Sequence, residues 1–343
     1  MNASPETMVI EPNGPLKAVE SQFSPETPVP AIELKPPDQT PQDGIDETLY
    51  LIGRPTLKQF LRFARHQAVN PPPEETLTGE WKAASRLLRS LETEEAGYAD
   101  DPPITKLDVS KYEPLLAEFL KDPLVQNGFN TVPTEVAFVE LDRLVVYQHH
   151  IDLNHIRRLE NELGPLPGDE QIFRTALLHD HPRAPVKWSR LHRDTFVFMS
   201  PSNDMRYLGT MKLQPDNIKD YPPPGNLLGV VGIAVGFGSN FLNAVYAEKR
   251  LILNNGYHRA YALRKAGVTH APCIIQHVSP DDELDDVVAS EVADNPDYYL
   301  KCPRPSVLKD YFDPRLHTVM PTHRRLKQIT VKFEVDDGYV PAL

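Results

Sequence analysis

Proline limits this chain more than any other residue, because each one fixes φ and removes a backbone donor. There are 35 in 343 residues, about twice ordinary usage, and they are unevenly placed. Nine lie between Pro5 and Pro41. The first 50 residues also carry nine Asp and Glu against only Lys17 and Lys35, so much of the net charge of −12 resides there. Phe23 is the only aromatic before Tyr50. Such a stretch cannot bury enough apolar surface to offset its ordering entropy. Residues 1–45 are therefore expected to form a disordered, acidic, Pro-rich tail, leaving the core to the rest of the chain.

Several classes are excluded by the same inventory. No run of 18 apolar residues exists to span a bilayer; the richest run, Leu227 to Phe237, is short and broken by glycine. The opening MNASPETMVI lacks a basic region followed by an apolar stretch, so no secretory signal is expected. Cys273 and Cys302 are too few for a disulfide framework or a Cys-rich zinc site. The expected location is the cytoplasm, with no membrane partner. The acidic balance also argues against duplex DNA as a partner.

Residues 46–130 read as a helical region. Leu57, Phe60, Leu61 and Ala64 share one helical face, and Pro71-Pro72-Pro73 stops it. Thr78 and Ser110 are candidate caps for two further amphipathic helices. Residues 131–280 read as a separate α/β or α+β domain. VAFVELDRLVVY (136–147) reads as one or two strands, and Asp152 or Asn154 caps a helix that Gly164 ends. TFVFMS (195–200) and RYLGTMKL (206–213) flank SPSND and are expected to form a hairpin inside an insertion at 166–226. Leu227–Phe237 is expected to be a strand buried on both faces. Residues 281–343 form a C-terminal extension that begins as an acidic helix and ends in the strand QITVKFEV (328–335).

Residues 250–276 are the most informative for chemistry. Leu251-Ile252-Leu253 suits a buried strand, and Asn254-Asn255-Gly256 a turn in which glycine permits positive φ or close approach. Tyr257-His258-Arg259 then open a helix. A helix start preceded by glycine presents free N–H groups and partial positive charge, an anion site. His258 adds a tunable donor and Arg259 a forked cation suited to phosphate. A structural turn with a surface arginine would show the same pattern, so spacing alone leaves both readings open.

Asn255-Gly256-Tyr257-His258-Arg259-Ala260, with the Ala-rich helix, Gly267 and the strand HAPCIIQ that follow, resembles the ParB/sulfiredoxin superfamily. Its members carry a G-x-[HR]-R-type turn that holds nucleotide phosphates, matched here by Gly256, His258 and Arg259. VELDRLVVYQHHIDLNHIRRLENELG is similar to the ParB-like opening, with Gln148 at the loop glutamine and His150 where arginine is usual. The resemblance covers roughly 135–165 and 228–278. It implies a mixed sheet with an inserted β-hairpin, preceded by the helical region. It also implies a nucleotide site formed by Gln148, Asn255, Gly256, Tyr257, His258 and Arg259, with Mg2+ accompanying ATP or CTP. Tyr257 replaces the sulfiredoxin cysteine, so sulfinic acid reduction is not expected. No Glu-Asn-x-x-Arg segment and no helix-turn-helix module follow, which weighs against partition or nuclease work.

Two forms of the function remain open. One is a nucleotide-dependent enzyme, an ATPase or kinase, with Glu140 and Asp142 as candidate acids. The other is a non-enzymatic interaction protein that keeps the fold and docks a protein partner. The oligomeric state is not set by these features. His149, His150, His155, His179, His181 and His192 invite a metal reading, but no third ligand closes a site at zinc spacing, so no metal is expected. Cys273, in a buried strand, is expected to be a packed thiol.

Overall fold

The computed structural model describes residues 44–178, 184–202, 204–214, 225–238, 240–279 and 283–341. The tail expected at 1–45 therefore lies outside the described residues, apart from Gly44 and Ile45. The fold class is α+β, with helices beside mixed and antiparallel sheets. Two units are distinguished, the first from 44–178, 240–279 and 283–324, the second from 184–238 and 325–341.

In the first unit the chain enters as a strand, β1 (Ile45–Leu51), within the region expected to be helical. Its acidic start masks a C-terminal half that is buried from Thr48 to Leu51. Two amphipathic helices follow, α1 (Leu57–Gln67) and α2 (Glu74–Glu94). Thr56 and Gln59 close a capping box on α1. The second helix starts at Glu74, a turn before the expected cap at Thr78, with Glu74 and Glu75 complementing its dipole. Phe60, Phe63, Leu77 and Leu88 pack under Tyr50, whose ring centroid lies 4.2 Å from that of Phe63.

The chain continues through β2 (Ile104–Lys106), α3 (Val109–Leu120), capped by Asp108, and α4 (Pro123–Gly128). Next come β3 (Thr134–Glu140), β4 (His150–Asp152), α5 (Leu153–Leu163) and α6 (Asp169–Leu177).

The second unit supplies β5 (Lys187–His192), β6 (Thr195–Ser200), β7 (Met205–Leu213) and β8 (Val230–Phe237). The first unit then resumes with β9 (Asn243–Ala247), β10 (Arg250–Asn255), α7 (Tyr257–Lys265) and β11 (His270–His277). The acidic helix expected after Ser279 is broken, with short turns at Leu284–Val287 and Ser290–Ala293. β12 (His317–His323) returns to the first unit, and β13 (Lys327–Lys332) belongs to the second.

A five-stranded sheet in the order β10-β9-β11-β3-β2 organises the first unit. Only the β9–β11 pair is parallel, so the sheet is mixed. A second sheet, β12-β1-β4, joins residues far apart in sequence, with Thr48 opposite Met320 and Tyr50 opposite Thr318. Leu144-Val145-Val146, fully buried, bridges to Ile252 on β10 and to Val307. The main core gathers Val139, Leu141, Ile156, Phe173, Leu251 and Leu263.

In the second unit β6 pairs with β5 and β13, whereas β7 pairs with β8. The hairpin expected between 195–200 and 206–213 is therefore not formed. SPSND does turn the chain, but between strands of different sheets. Nor is the apolar run at 227–237 buried, since Val231 is 73% exposed. Its glycines explain this: a Cβ on Gly232 would come within 3.1 Å of Met211 and one on Gly236 within 3.0 Å of Leu208. β8 thus receives the side chains of its own ribbon partner in place of a core.

Candidate functional site

Strand, glycine turn and helix fall where the sequence pattern places them. Gly256 has φ +91°, and a Cβ there would stand 3.0 Å from the Cα of Leu242. Both the left-handed backbone and the close approach need glycine. Asn255 Oδ1 accepts from the N–H of Gly256 at 2.7 Å.

The first three side chains of α7 reach three different parts of the first unit. The hydroxyl of buried Tyr257 donates to the carbonyl of Leu253 at 2.6 Å and accepts from the N–H of Tyr147 at 3.2 Å. His258 Nε2 accepts from the N–H of Asp152 at 3.0 Å, at the junction of β4 and α5. Arg259, only 3% exposed, donates to the carbonyl of Ala176 at 2.9 Å and to Asn240 Oδ1 at 2.8 Å. The turn is thus the joint at which β4, α5 and α6 meet α7.

His258 is a neutral ring. Burial holds its pKa well below the ordinary histidine value, and His155, His150, Arg259 and Arg158 push it the same way. With Nε2 an acceptor, the ring proton sits on Nδ1. His149 is driven down to about 4, by burial first and by His150 second. The imidazoles of His155 and His258 meet edge to face at 5.1 Å. Arg158 Nη2 lies 3.5 Å from His155 Nδ1, one turn along the same helix face. The start of α5 is capped by Asp152, whose carboxylate accepts from the N–H groups of Asn154 and His155. The N-cap of α7 is Gly256, which has no side chain to cap it. The start of α7, His150, His155, Arg158 and the Asp152 carboxylate therefore share one corner around His258.

Gln148 belongs to the same corner. Its side-chain amide donates to the carbonyl of His150 at 2.6 Å, and its own carbonyl accepts from the Tyr311 hydroxyl. Asn255, Gly256, Tyr257, His258 and Gln148 are thus brought together, with Arg259 directed inward beside them. Glu140 and Asp142 are not. Asp142 forms a two-pronged pair with Arg264 at 2.6 and 3.0 Å, in the last turn of α7. That is about 10 Å along the helix axis from Tyr257. Glu140 lies 4.0 Å from Arg143.

Arg158 is the contributor that sequence reasoning missed; its signal was the three-residue spacing from His155. Cys273 is fully buried, and burial pushes its thiol pKa up, as a packed thiol requires. Asn240, at the end of the glycine-rich 236–240 stretch, accepts from Arg259; Ser239 lies outside the described residues, as do His179 and His181. Among the described residues no group of three or more His, Cys, Asp or Glu is arranged to hold a metal ion, and no helix is long and apolar enough to cross a membrane.

No family model, no curated protein and no solved structure gives a significant match.

Proposed function

We propose that this chain binds a phosphate-bearing anion, in the form of a nucleotide, at the start of α7. The observation that carries the reading is the grouping of Arg158, His150 and His155 around His258 at the start of α7. His150, His155 and Arg158 bear on that ring, beside a helix start whose N-cap residue, Gly256, has no side chain. Backbone N–H groups at such a start and the nearby cations act on the same ligand charge. The resemblance of Gly256, His258 and Arg259 to the ParB/sulfiredoxin turn supports the same assignment.

Roles within the turn differ from those its spacing suggests. Gly256 permits the approach. Neutral His258 and buried Arg259 position β4, α5 and α6 around the turn. Ligand charge is met by the α7 N-terminus, His150, His155 and Arg158, with Gln148 at the rim. ATP and CTP are the ligand class. Imidazole and guanidinium are poor partners for Mg2+, so magnesium would enter on the phosphate oxygens. The proposal is one of binding, since Glu140 and Asp142 lie at the far end of α7 in contact with arginines. The second reading, a non-enzymatic interaction protein, is favoured by the inward engagement of Tyr257, His258 and Arg259.

Calorimetric titration of ATP and CTP with magnesium tests the proposal. Arg158→Ala is expected to weaken binding about tenfold, the equivalent of one charge-assisted contact, with little change in Tm. If the unaltered protein binds neither nucleotide at millimolar concentration, the proposal fails and the interaction reading replaces it.

A further inference from the structure

The three-stranded sheet of the second unit has an aromatic face and a basic rim. Register and alternation put two cross-strand rows on one side: Ile329–Phe198–Trp188 and Val331–Phe196–Arg190. Trp188 stacks on Phe198 at 6.1 Å with an interplanar angle of 17°, and Phe196 on Phe333 at 6.3 Å and 24°. The Arg190 guanidinium lies 5.6 Å from the centroid of Phe196. Trp188 is 65% exposed, on the edge strand β5. A large aromatic ring stacked on one side and open on the other is unusual for a residue whose only role is packing.

Charge on this sheet opposes that of the whole chain. Lys187, Arg190, Arg193, Arg325, Lys327 and Lys332 are all exposed, with Arg190 and Lys327 on the aromatic face and Lys187 and Lys332 in register with Met199 and Thr195 on the other, and Asp194 is the only acid in β5, β6, β13 and the turn that joins β5 to β6. Among the described residues none of the six makes an ion pair. The chain is acidic overall at −12, so this positive charge is local.

We infer that this sheet face is a docking platform for single-stranded nucleic acid. Exposed aromatic faces accept unpaired bases, and a cationic surround follows the phosphates; the combination tolerates any base sequence because every base has a π-face. A duplex keeps its bases stacked on one another and cannot use the rings, so the inference agrees with the expected lack of duplex binding. An acidic peptide would satisfy the cations but offers no flat rings for Trp188. The inference does not depend on the nucleotide site, which uses other residues in the first unit.

The full chain, titrated into a fluorescein-labelled oligothymidylate of about 20 nucleotides at low salt, tests it by anisotropy. Trp81→Phe leaves Trp188 as the only tryptophan, since the sequence has two, and its fluorescence reads stacking directly. Micromolar binding is expected, with quenching of Trp188 and a log–log salt dependence steepened by about 0.7 for each phosphate contacted. Trp188→Ala should weaken binding about tenfold. Arg325→Glu with Lys327→Glu should weaken it further and flatten the salt dependence, with Tm unchanged for these exposed positions. The inference is overturned by absence of binding up to about 100 µM, well beyond the range of such platforms. It also fails if Trp188→Ala binds equally well, if the matching duplex binds as tightly, or if polyglutamate quenches Trp188 while the oligonucleotide does not.

Discussion

Two sets of cations, one in each unit, use positive charge in opposite ways. In the first unit, Arg250, Arg259, Arg264 and Arg304 are built into the structure. Arg304, 1% exposed, grips Asp310 through both nitrogens at 2.5 and 2.6 Å and reaches Glu95 at 3.0 Å. Arg250 pairs with Asp100 at 2.6 Å and donates to the carbonyls of Tyr299 and Cys302. Arg264 holds Asp142, and Arg259 holds Ala176 and Asn240. In the second unit the cations of β5 and β13 stand in solvent without acid partners among the described residues. A buried guanidinium needs several acceptors to offset its desolvation, so its position is a statement about folding. An exposed one without a partner contributes little to stability, so a cluster of them beside open rings is a statement about what lies outside the chain.

This contrast can be broken by substitution. The largest effect is expected at Arg304. Its removal leaves Asp310 buried without a counter-charge, and Arg304→Ala should lower the unfolding free energy by about 3–5 kcal/mol, measured by urea denaturation. Gly256→Val comes next. It forces a branched residue into positive φ against the backbone of Leu242, at about 2–4 kcal/mol, so both Tm and nucleotide binding should fall.

The neutral histidines give a smaller, graded effect. His149 and His258 both have folded pKa values below the unfolded value, through burial. The unfolded chain therefore takes up protons first as pH falls. Their contribution is complete above about pH 6.5 and declines below it, by up to about 1.4 kcal/mol per pH unit for each ring. For His149 the decline ends near pH 4, where the folded ring also protonates. Unfolding curves at several pH values should be flatter for His149→Gln and His258→Gln than for the unaltered protein. Equal slopes would contradict the neutral assignment. The smallest effect belongs to the other side of the comparison: Lys327→Ala and Lys332→Ala should each change stability by less than about 0.5 kcal/mol.

How much of this was legible in sequence depends on how local each feature is. The Leu251–Gln276 run carries its own punctuation, with Gly256 entering the left-handed region and Gly267 ending α7 at φ +86°, so its elements could be read directly. The 3-4 spacing of Leu57, Phe60, Leu61 and Ala64 marked α1 just as locally. β1 could not be read, because its pairing with β12 joins Thr48 to residues more than 270 positions away and its first three residues are polar or half-buried. The turn at SPSND was legible, but which strands it left unpaired was decided by β13, far along the chain. The site divides along the same line. The helix start and its glycine were visible, whereas the inward course of Arg259 depends on Ala176 and Asn240, which no local pattern brings near it. Charge misled in one respect. A net of −12 conceals a basic sheet, because the sum averages over a segregation that only the fold reveals.

Arginine modification by a dicarbonyl reagent, read peptide by peptide by mass spectrometry on the folded protein, tests the division of charge most directly. Arg193 and Arg325, exposed and without acid partners among the described residues, should react early. Arg250, Arg259 and Arg304, each 3% exposed or less, should stay unmodified until the protein unfolds. If Arg259 or Arg304 reacts as fast as Arg193 in the folded protein, the first unit does not hold its arginines as described here and the contrast between the two units fails.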